Sequence, residues 1–196
     1  MCVVDQYPLP HLEDVFTQFA GCQRFSKIDL SQAYLQLVLA EEGRKYTTIN
    51  TIRGLFQFRR MPFGVASASA IFQCTIESVV RGIPHTVVRA DDILVSGLTD
   101  EEHLANMEDV LASLEHAGLR AKRQKCKFFE PQVVYMGYVV DKEVHRPDLE
   151  KTKALTEAPA LSNISELRSY LGMLNYYNKF LSQAATVLEP LHSLLH

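Results

Sequence analysis

The sequence predicts an α+β fold in which helices pack against one face of an antiparallel sheet. Three observations predict this class. β-rich runs and helix-forming segments follow the order strand, helix, hairpin, helix, hairpin, which is a split β-α-β layout. Two of the helical segments open with a Thr or Asn followed three residues later by Glu, a pattern typical of helix N-termini. The composition of the 196 residues, 47% hydrophobic and 22% charged, is that of an ordinary globular chain.

The first element is predicted to be a helix, because four apolar residues recur at helical spacing: Leu12, Val15, Phe16 and Phe19. Gly21 suits the stop of that helix. Residues 24–29 predict a short strand, and the alternation over residues 34–39 predicts a second one.

A hairpin-rich stretch follows, punctuated by Gly43 and Gly54 and ending at residues 61–64. The next helix is predicted to begin near Ser67 or Ser69 and to run to about residue 81. Two β-rich runs, residues 86–90 and 93–96, flank an Asp-Asp pair, which is a hairpin signal.

Thr99 and Glu102 form the capping pattern of a helix that Gly118 ends. Its expected apolar face consists of Leu104, Met107, Leu111 and Leu114. Beyond it, residues 128–129 and 133–140 predict another hairpin around Glu130-Pro131.

Arg146-Pro147 marks a change of region. A polar helix is predicted near residues 149–156, and a longer one begins at Asn163 with Glu166 three residues on. The expected apolar stripe of the longer helix consists of Leu167, Tyr170, Leu171, Leu174 and Tyr177. We therefore predict two domains, residues 1–145 and 146–196, the second of them helical.

Charge and cysteine content narrow the functional classes. The net charge of −3 and the pI of about 6.2 mean that any nucleic-acid surface must be local. One candidate is the basic run of Arg120, Lys122, Arg123, Lys125 and Lys127, and Arg59 with Arg60 is a smaller one. The alternative is a solvated strand edge kept soluble by its lysines. The four cysteines lack zinc-ligand spacing, which predicts reduced thiols in an intracellular protein. We see no signal peptide and no apolar run that would span a membrane.

Three aspartates carry the most specific chemistry. Asp29 ends one predicted strand, and Asp91 and Asp92 lie at the tip of a predicted hairpin. If those strands are neighbours, the three carboxylates meet at one edge of the sheet. Carboxylates are ligands for Mg²⁺, and phosphoryl transfer uses two such ions. The alternative is ordinary turn chemistry, in which an Asp-Asp pair is common.

Consecutive segments resemble, in order and spacing, the motifs of reverse transcriptases from gypsy-type long-terminal-repeat retrotransposons. They are YPLPHLEDVF, FSKIDLSQAY, MPFGVASASAIFQ, VVRADDILVSG, AGLRAKRQKCKFF, VVYMGYVV and ELRSYLGMLNYYNKFL, which span about Asp5 to Leu195. The resemblance implies a polymerase palm with partial fingers and the helical start of a thumb. It implies an RNA-directed DNA polymerase that adds dNTPs to the 3′-hydroxyl of an RNA or DNA template–primer, with two Mg²⁺ ions or, in their place, Mn²⁺. It leaves the oligomeric state open.

The resemblance also implies roles for single residues. Asp29 and Asp91 would be the catalytic metal ligands, with Asp92 as the companion acid. The nucleotide side of the site would consist of Tyr34 as the steric gate against a ribose 2′-hydroxyl, Phe63, Gly64, and Lys125 near the triphosphate. Met136 and Gly137 would lie in the hairpin that grips the primer end, and the helix over residues 167–180 would follow the template–primer backbone. Without the resemblance, Tyr34 is a core aromatic and Lys125 a solvated lysine.

The sequence departs from the family pattern in three places. Arg89 stands where the family has Tyr in Tyr-x-Asp-Asp, so we expect a cation on the same side of the hairpin as Asp91. Residues 67–69 read Ser-Ala-Ser where the family has Asn-Ala-Pro, a minor change. The family's fingers segment is expected upstream of the sequence, and its connection, ribonuclease H and integrase regions downstream. These departures predict a truncated and weakened polymerase. The alternatives are an inactive descendant that binds nucleic acid or a protein, and an unrelated α+β binding module.

Overall fold

The computed structural model describes residue 7 and residues 12–142, 145–147, 153, 155–177 and 183–195. The chain divides into two compact units, Met1–Val133 with Asp141–Glu143, and Val134–Val140 with Val144–His196. The second unit thus includes the segment 134–140 as well as the C-terminal helices. The predicted domain boundary after residue 145 stays a prediction.

The first unit contains a four-stranded antiparallel sheet with two long helices. Its helices are α1 (Leu12–Gln18), α2 (Glu41–Arg44), α3 (Ala68–Val79) and α4 (Asp100–His116). Its strands are β1 (Phe25–Asp29), β2 (Thr48–Thr51), β3 (Gly54–Gln57), β4 (Thr86–Arg89), β5 (Asp92–Ser96) and β6 (Lys127–Glu130). The sheet order is β4-β5-β1-β6, and β2 pairs with β3 in a separate hairpin. This is the predicted α+β fold with its split β-α-β order.

One face of the four-stranded sheet forms the core. Ile28, Ile93 and Val95 alternate along β1 and β5, so they share a face, and all three are buried. Helices α3 and α4 cover that face with Phe72, Ile76, Met107, Val110 and Leu114. Burying side chains of this size stabilises the fold by about 1.5–3 kcal/mol each. Asp29 and Asp92 lie on the opposite face of β1 and β5, at the end away from the buried Phe25 and Ser96.

The strand predicted over residues 34–39 is wrong. The chain instead forms a 3-10 helix over Ala33–Gln36, with positive φ at Gln32 (58°), just before the helix, and at Ala33 (38°), its first residue. Tyr34 and Leu37 both pack against the core cluster, a three-residue spacing that suits a helical turn as well as alternation suits a strand. The sequence pattern was therefore ambiguous over this short segment.

The hairpin predicted around Glu130-Pro131 is also wrong. β6 ends at Glu130 and pairs with β1 in the four-stranded sheet. The hairpin turn lies at residues 136–137, between β7 (Gln132–Tyr135) and β8 (Tyr138–Asp141), which form a three-stranded sheet with β9 (His145–Pro147) in the order β7-β8-β9. Met136 and Gly137 both have positive φ, 55° and 78°, which reverses the chain within an otherwise continuous apolar run.

Helix α4 begins at its predicted N-cap but buries a different face. The Thr99 side chain accepts a hydrogen bond from the Glu102 backbone N–H at 3.1 Å, as the capping pattern predicts. The buried face consists of His103, Asn106, Met107, Val110 and Leu114, whereas Leu104 and Leu111 are exposed. The two polar residues are buried because they have partners: His103 Nε2 lies 2.9 Å from Ser26 Oγ, and Asn106 Nδ2 donates to the Ser96 carbonyl at 2.8 Å.

The second unit contains α5 (Ile164–Tyr176) and α6 (Ala184–Ser193). Asn163 caps α5 as predicted, with its Oδ1 accepting from the Glu166 backbone N–H at 2.9 Å. Leu167 and Leu171 of α5 pack with Leu188 of α6 in a small core. Of the polar helix predicted over residues 149–156, only residues 153, 155 and 156 are described, and they are helical; the rest lies outside the described residues.

Candidate active site

Two adjacent strands bring the three aspartates to one edge of the sheet. Asp29, the last residue of β1, lies directly opposite Asp92, the first residue of β5. Paired residues of antiparallel strands share a face of the sheet, so both project from the face opposite the helices. The Leu30 backbone N–H donates to the Asp91 carbonyl at 2.7 Å, which holds Asp91 beside them. The ends of β1 and β5 therefore bring the backbones of all three aspartates close together.

The turn that carries Asp91 has a strained backbone, and a side chain of α3 forms hydrogen bonds to it. It consists of Ala90 and Asp91, one residue earlier than the sequence suggested, and Ala90 has a φ of 53°. Gln73, a fully buried residue of α3, accepts from the Ala90 N–H at 2.7 Å and donates to the Val88 carbonyl at 2.7 Å. Since left-handed backbone is unfavourable for alanine, these bonds help to fix the turn. The sequence analysis did not identify Gln73.

Two lysines neutralise two of the carboxylates. Lys27 Nζ lies 2.8 Å from Asp92 Oδ2, and Lys125 Nζ lies 3.3 Å from Asp29 Oδ2. Burial raises the pKa of Asp92, and the Asp91 and Asp29 carboxylates raise it further, against the opposing effect of the Lys27 ammonium. Lys125 thus contacts a candidate metal ligand, and its place near a triphosphate stays a prediction.

The donor set suits a hard divalent cation, although the side chains do not form a closed cage. Within the part of the chain that the structure describes, no group of three or more His, Cys, Asp or Glu side chains is arranged to hold a metal ion. Carboxylate oxygens are nevertheless the ligands that Mg²⁺ and Mn²⁺ prefer, and crowded carboxylates are stabilised by a cation. Asp29 and Asp92 would turn from their lysines to a metal, with Asp91 as the third ligand.

On the other side of β5, Arg89 of β4 is paired directly with Asp92. Asp92 is thus flanked by Asp29 on β1 and by Arg89 on β4. Arg89 is half-buried and forms no ion pair with a described residue. The charge of Arg89 therefore adds to that of Lys27 near Asp92, and the Asp92 carboxylate does not neutralise it.

Two aromatic rings, those of Phe63 and Phe72, lie near the Tyr34 ring. The Tyr34 ring centroid is 5.3 Å from that of Phe63 and 5.4 Å from that of the buried Phe72. Phe63 is 61% exposed, and Gly64 beside it has a φ of 89°. Tyr34 therefore has one neighbour in the core and one at the surface, so the ring bridges the two.

The basic run adjoins the same edge. Its backbone is tied to the end of β1, since the Lys122 N–H donates to the Asp29 carbonyl at 2.8 Å and the Ser31 N–H donates to the Arg120 carbonyl at 2.8 Å. Residues 120–125 and Lys127 are exposed. A row of surface cations thus begins at the candidate catalytic carboxylates.

In the second unit, the turn at Met136 and Gly137 is clamped by tyrosines. The Tyr176 hydroxyl donates to the Met136 carbonyl at 2.6 Å, and the Tyr138 hydroxyl donates to the Tyr176 carbonyl at 3.0 Å. Burial raises the pKa of Tyr138 far above its usual value, so the donor stays protonated. The turn is therefore rigidly attached to the end of α5.

Comparisons with known proteins agree with this geometry. The model of the family described as "Reverse transcriptase (RNA-dependent DNA polymerase)" matches residues 2–140. The chain is 31% identical over 195 residues to the retrovirus-related Pol polyprotein from transposon gypsy of Drosophila melanogaster, covering 98% of this chain and 19% of that protein. It is 34% identical over 194 residues to the retrovirus-related Pol polyprotein from transposon opus of the same species, and the match again covers 98% of this chain and 19% of that protein. The chain thus spans about a fifth of the length of these relatives.

Solved structures show the same fold. The chain is similar to the foamy viral protease–reverse transcriptase in complex with double-stranded DNA, with a TM-score of 0.91 and 23% identity over 98% of this chain and 34% of that one. The same viral protein in complex with an RNA/DNA hybrid gives a TM-score of 0.86 with 23% identity, over 98% of this chain and 26% of that one. The architecture is that of a polymerase palm. No helix among the described residues is long and apolar enough to cross a membrane.

Proposed function

The chain belongs to the reverse transcriptase (RNA-dependent DNA polymerase) family, and we propose that it adds deoxynucleotides to a primer paired with an RNA or DNA template. The observation that carries this proposal is the meeting of Asp29, Asp91 and Asp92 at the ends of two paired strands. In the proposed reaction the primer 3′-oxygen bonds to the α-phosphorus of a dNTP. The bond from that phosphorus to the β-phosphate oxygen breaks, and pyrophosphate leaves.

The three aspartates would hold two divalent cations, and the family generally uses such metals. When bound, the cations would neutralise the charge on the attacking and leaving oxygens. The chain's own contribution is to fix the carboxylates before the metals arrive. Gln73 sets the turn of Asp91, and the β1–β5 register sets Asp29 against Asp92. Catalysis of this kind depends on such positioning.

Other residues would bind and select the substrates. Tyr34, five residues beyond Asp29 in the chain, and Phe63 would contact the sugar of the dNTP; their ring centroids lie 5.3 Å apart. The basic run from Arg120 to Lys127 would attract the phosphates of a template–primer. The similar foamy viral protein is in complex with double-stranded DNA or with an RNA/DNA hybrid. Such binding weakens as the salt concentration rises.

A second candidate function rests on Arg89. A cation opposite Asp92 that forms no ion pair with a described residue opposes metal binding at the candidate centre. The alternative is therefore an inactive descendant that keeps the fold and binds nucleic acid through the basic run.

Extension of a primed RNA template in Mg²⁺ tests the proposal. We expect extension that Asp29→Asn and Asp91→Asn each abolish, with Asp14→Asn, far along the chain from the site, as the control for loss of one carboxylate. Binding of the same template–primer in EDTA is measured in parallel. Salt-sensitive binding without extension would favour the alternative, and the absence of both would overturn the two functions together.

A further inference from the structure

The backbone of Asp91 depends on a hydrogen bond that comes from outside the sheet. Ala90, the residue before it, has a φ of 53°, and the Ala90 N–H donates to Gln73 Oε1 at 2.7 Å. Without this bond the turn would keep a left-handed alanine and would also lose the protein acceptor of its N–H. The place of Asp91 therefore depends on which end of the Gln73 amide faces Ala90.

The Gln73 amide is satisfied in one orientation only. Its Nε2 donates to Glu77 Oε1 at 2.6 Å and to the Val88 carbonyl at 2.7 Å, so both of its N–H groups are used and its oxygen faces Ala90. After a half-turn of the amide, the oxygen would face two acceptors and the NH₂ group would face an N–H donor. Because Gln73 is fully buried, water cannot replace the three bonds that would be lost.

Glu77 is the partner that selects this orientation most strongly. Gln73 and Glu77 are four residues apart on α3, so their side chains lie on the same face of the helix. A carboxylate only accepts hydrogen bonds, and a bond to an ionised group is stronger than one to a neutral carbonyl. The carboxylate therefore turns the NH₂ group of Gln73 toward itself and leaves the Gln73 oxygen for Ala90.

Tyr7, from the segment before α1, holds the other oxygen of this carboxylate. The Tyr7 hydroxyl donates to Glu77 Oε2 at 2.5 Å, and this bond raises the pKa of Tyr7 above its usual value. Glu77 is half-buried and lines a cavity of about 430 Å³, where water competes for its oxygens. The bond from Tyr7 fixes the carboxylate against that competition. Hydrogen bonds that are linked in this way strengthen one another.

From these contacts we propose that Glu77 and Tyr7 are positioning residues for the turn of Asp91 and act on it through the Gln73 amide. Neither residue touches a substrate or a metal ion. As a statement about catalysis the inference rests on the proposed function, whereas the link from Tyr7 to Ala90 does not. It makes the segment before α1 a part of what keeps Asp91 in place.

Exchange of the Ala90 amide proton with D₂O, followed by nuclear magnetic resonance, tests the link without metal, primer or dNTP. Glu77→Leu removes the acceptor, and we expect exchange at Ala90 to become about tenfold faster, as for the loss of one hydrogen bond. Glu77→Gln keeps an acceptor for the Gln73 amide and should exchange almost as slowly as the unmodified chain. Tyr7→Phe should have a smaller effect, about two- to threefold, because Glu77 remains.

Two controls separate the link from a general loss of stability. Glu108→Leu makes the same exchange at an exposed position of α4, and it should leave exchange at Ala90 unchanged. The amides of β1 and β5 should exchange at the same rate in every variant. If Glu77→Leu only loosened the fold, exchange in these strands would speed up together with Ala90.

Extension of a primed template adds the catalytic readout. In Glu77→Leu we expect kcat to fall about tenfold while the KM for the dNTP changes less than about twofold, since the substrate contacts are kept. Glu77→Gln should restore most of kcat. A residue needed for stability alone would lower the melting temperature without this separation of kcat from KM.

Two results would overturn the inference. One is exchange at Ala90 that is the same in Glu77→Leu as in Glu108→Leu. The other is an equal effect of Glu77→Leu and Glu77→Gln, which would mean that the negative charge matters and the orientation of the amide does not. Extension by the unmodified chain that Glu77→Leu leaves unchanged would sink the positioning role and keep the polymerase. Faster exchange at Ala90 in Glu77→Leu, with extension by no variant, would keep the link and sink the polymerase.

Discussion

Lys27 Nζ lies 2.8 Å from Asp92 Oδ2, reaching diagonally across the β1–β5 pair beside the opposed residues Asp29 and Asp92. The two side chains are 24% and 29% exposed, so water screens the pair only in part. A lysine in this position neutralises the crowded carboxylates when no metal is bound. It also competes with any metal for the oxygens of Asp92.

We therefore predict that Lys27→Met tightens binding of Mn²⁺. An ion pair of this kind contributes up to about 1 kcal/mol, so its removal is expected to strengthen metal binding about two- to fivefold. Electron paramagnetic resonance of free Mn²⁺ measures the affinity directly. Lys153→Met is the control, because Lys153 forms an ion pair with Glu157 on the surface of the other unit. Weaker Mn²⁺ binding by Lys27→Met would contradict the competition, and no Mn²⁺ binding by any variant would exclude the metal site.

The buried His103 predicts that the fold is sensitive to acid. Its ring stacks on Phe129 with 4.2 Å between centroids, and burial holds the pKa of His103 below its usual value of 6.5. The unfolded chain therefore binds a proton at a higher pH than the folded chain does. Stability from the neutral ring is fully present above about pH 6.5 and is lost as the pH falls below it.

Urea unfolding of the chain and of His103→Gln at about pH 7.5 and about pH 5.5 measures this effect. The free energy of unfolding should fall more on acidification in the unmodified chain than in His103→Gln, since glutamine does not titrate. His116→Gln changes a histidine at the exposed end of α4, and on acidification it should lose as much free energy of unfolding as the unmodified chain. Equal losses in all three proteins would show that His103 is not the group responsible.

Between β5 and α4 there is no space for a side chain at Gly97. A Cβ atom there would lie 2.3 Å from the His103 backbone N and 2.8 Å from the Glu102 carbonyl carbon, so the first turn of α4 would have to move. We expect Gly97→Ala to lower the free energy of unfolding by at least about 1–3 kcal/mol. Gly172→Ala, within α5 and with no atom near its Cβ position, should instead raise it by about 0.5–1 kcal/mol. Thermal melts of both variants check the prediction, and a neutral Gly97→Ala would contradict it.

Local patterns predicted most elements because each depends on neighbours in the sequence. Thr99 and Asn163 cap their helices as expected, since a capping bond joins residues three apart. Alternation placed Asp29 at the end of its strand for the same reason. The short segment at Tyr34 was misjudged, because its apolar spacing fits two structures and the deciding left-handed residues have no glycine to mark them.

The supporting residues of the candidate site could not be predicted in the same way. Gln73 is important because it bonds to Val88 and Ala90, and His103 is buried because Ser26 faces it from a distant strand. Such partners meet only in the folded chain, so a polar residue on an apolar helix face looks like a surface residue in the sequence. Lys27 is different: two residues before Asp29 on a strand, it was bound to share that face.

Tyr34 gives a prediction about the sugar of the nucleotide. Its ring lies against Phe63 and against the buried Phe72, so the ring is held firmly in one place. If it excludes a ribose 2′-hydroxyl by its bulk, Tyr34→Ala should raise ribonucleotide incorporation relative to deoxynucleotide incorporation by at least about tenfold. Tyr34→Phe keeps the ring and should leave discrimination unchanged. Single-nucleotide extension with dNTP and rNTP decides this, and unchanged selectivity in Tyr34→Ala would remove the steric-gate role.

Arg89 gives the last prediction, which concerns how active the chain is. Arg89 is paired with Asp92 in the register of β4 and β5 and has no carboxylate partner among the described residues, so its charge opposes a divalent cation at the same edge. At an effective dielectric of about 20, a unit charge about one or two strand spacings (roughly 5–10 Å) from such an ion repels it by a few kcal/mol. Arg89→Tyr should therefore lower the Mg²⁺ concentration needed for extension and raise the rate of extension at least about tenfold.

Arg53→Tyr is the control, because it makes the same exchange in an exposed turn, and it should change neither the Mg²⁺ concentration nor the rate. Since β4 and its register with β5 are fixed by backbone bonds, Arg89→Tyr should keep the fold, and its thermal melt verifies this. Vigorous extension by the unmodified chain, with no gain in Arg89→Tyr, would show that the arginine bends away from the metal site and that the departure from the family pattern is harmless.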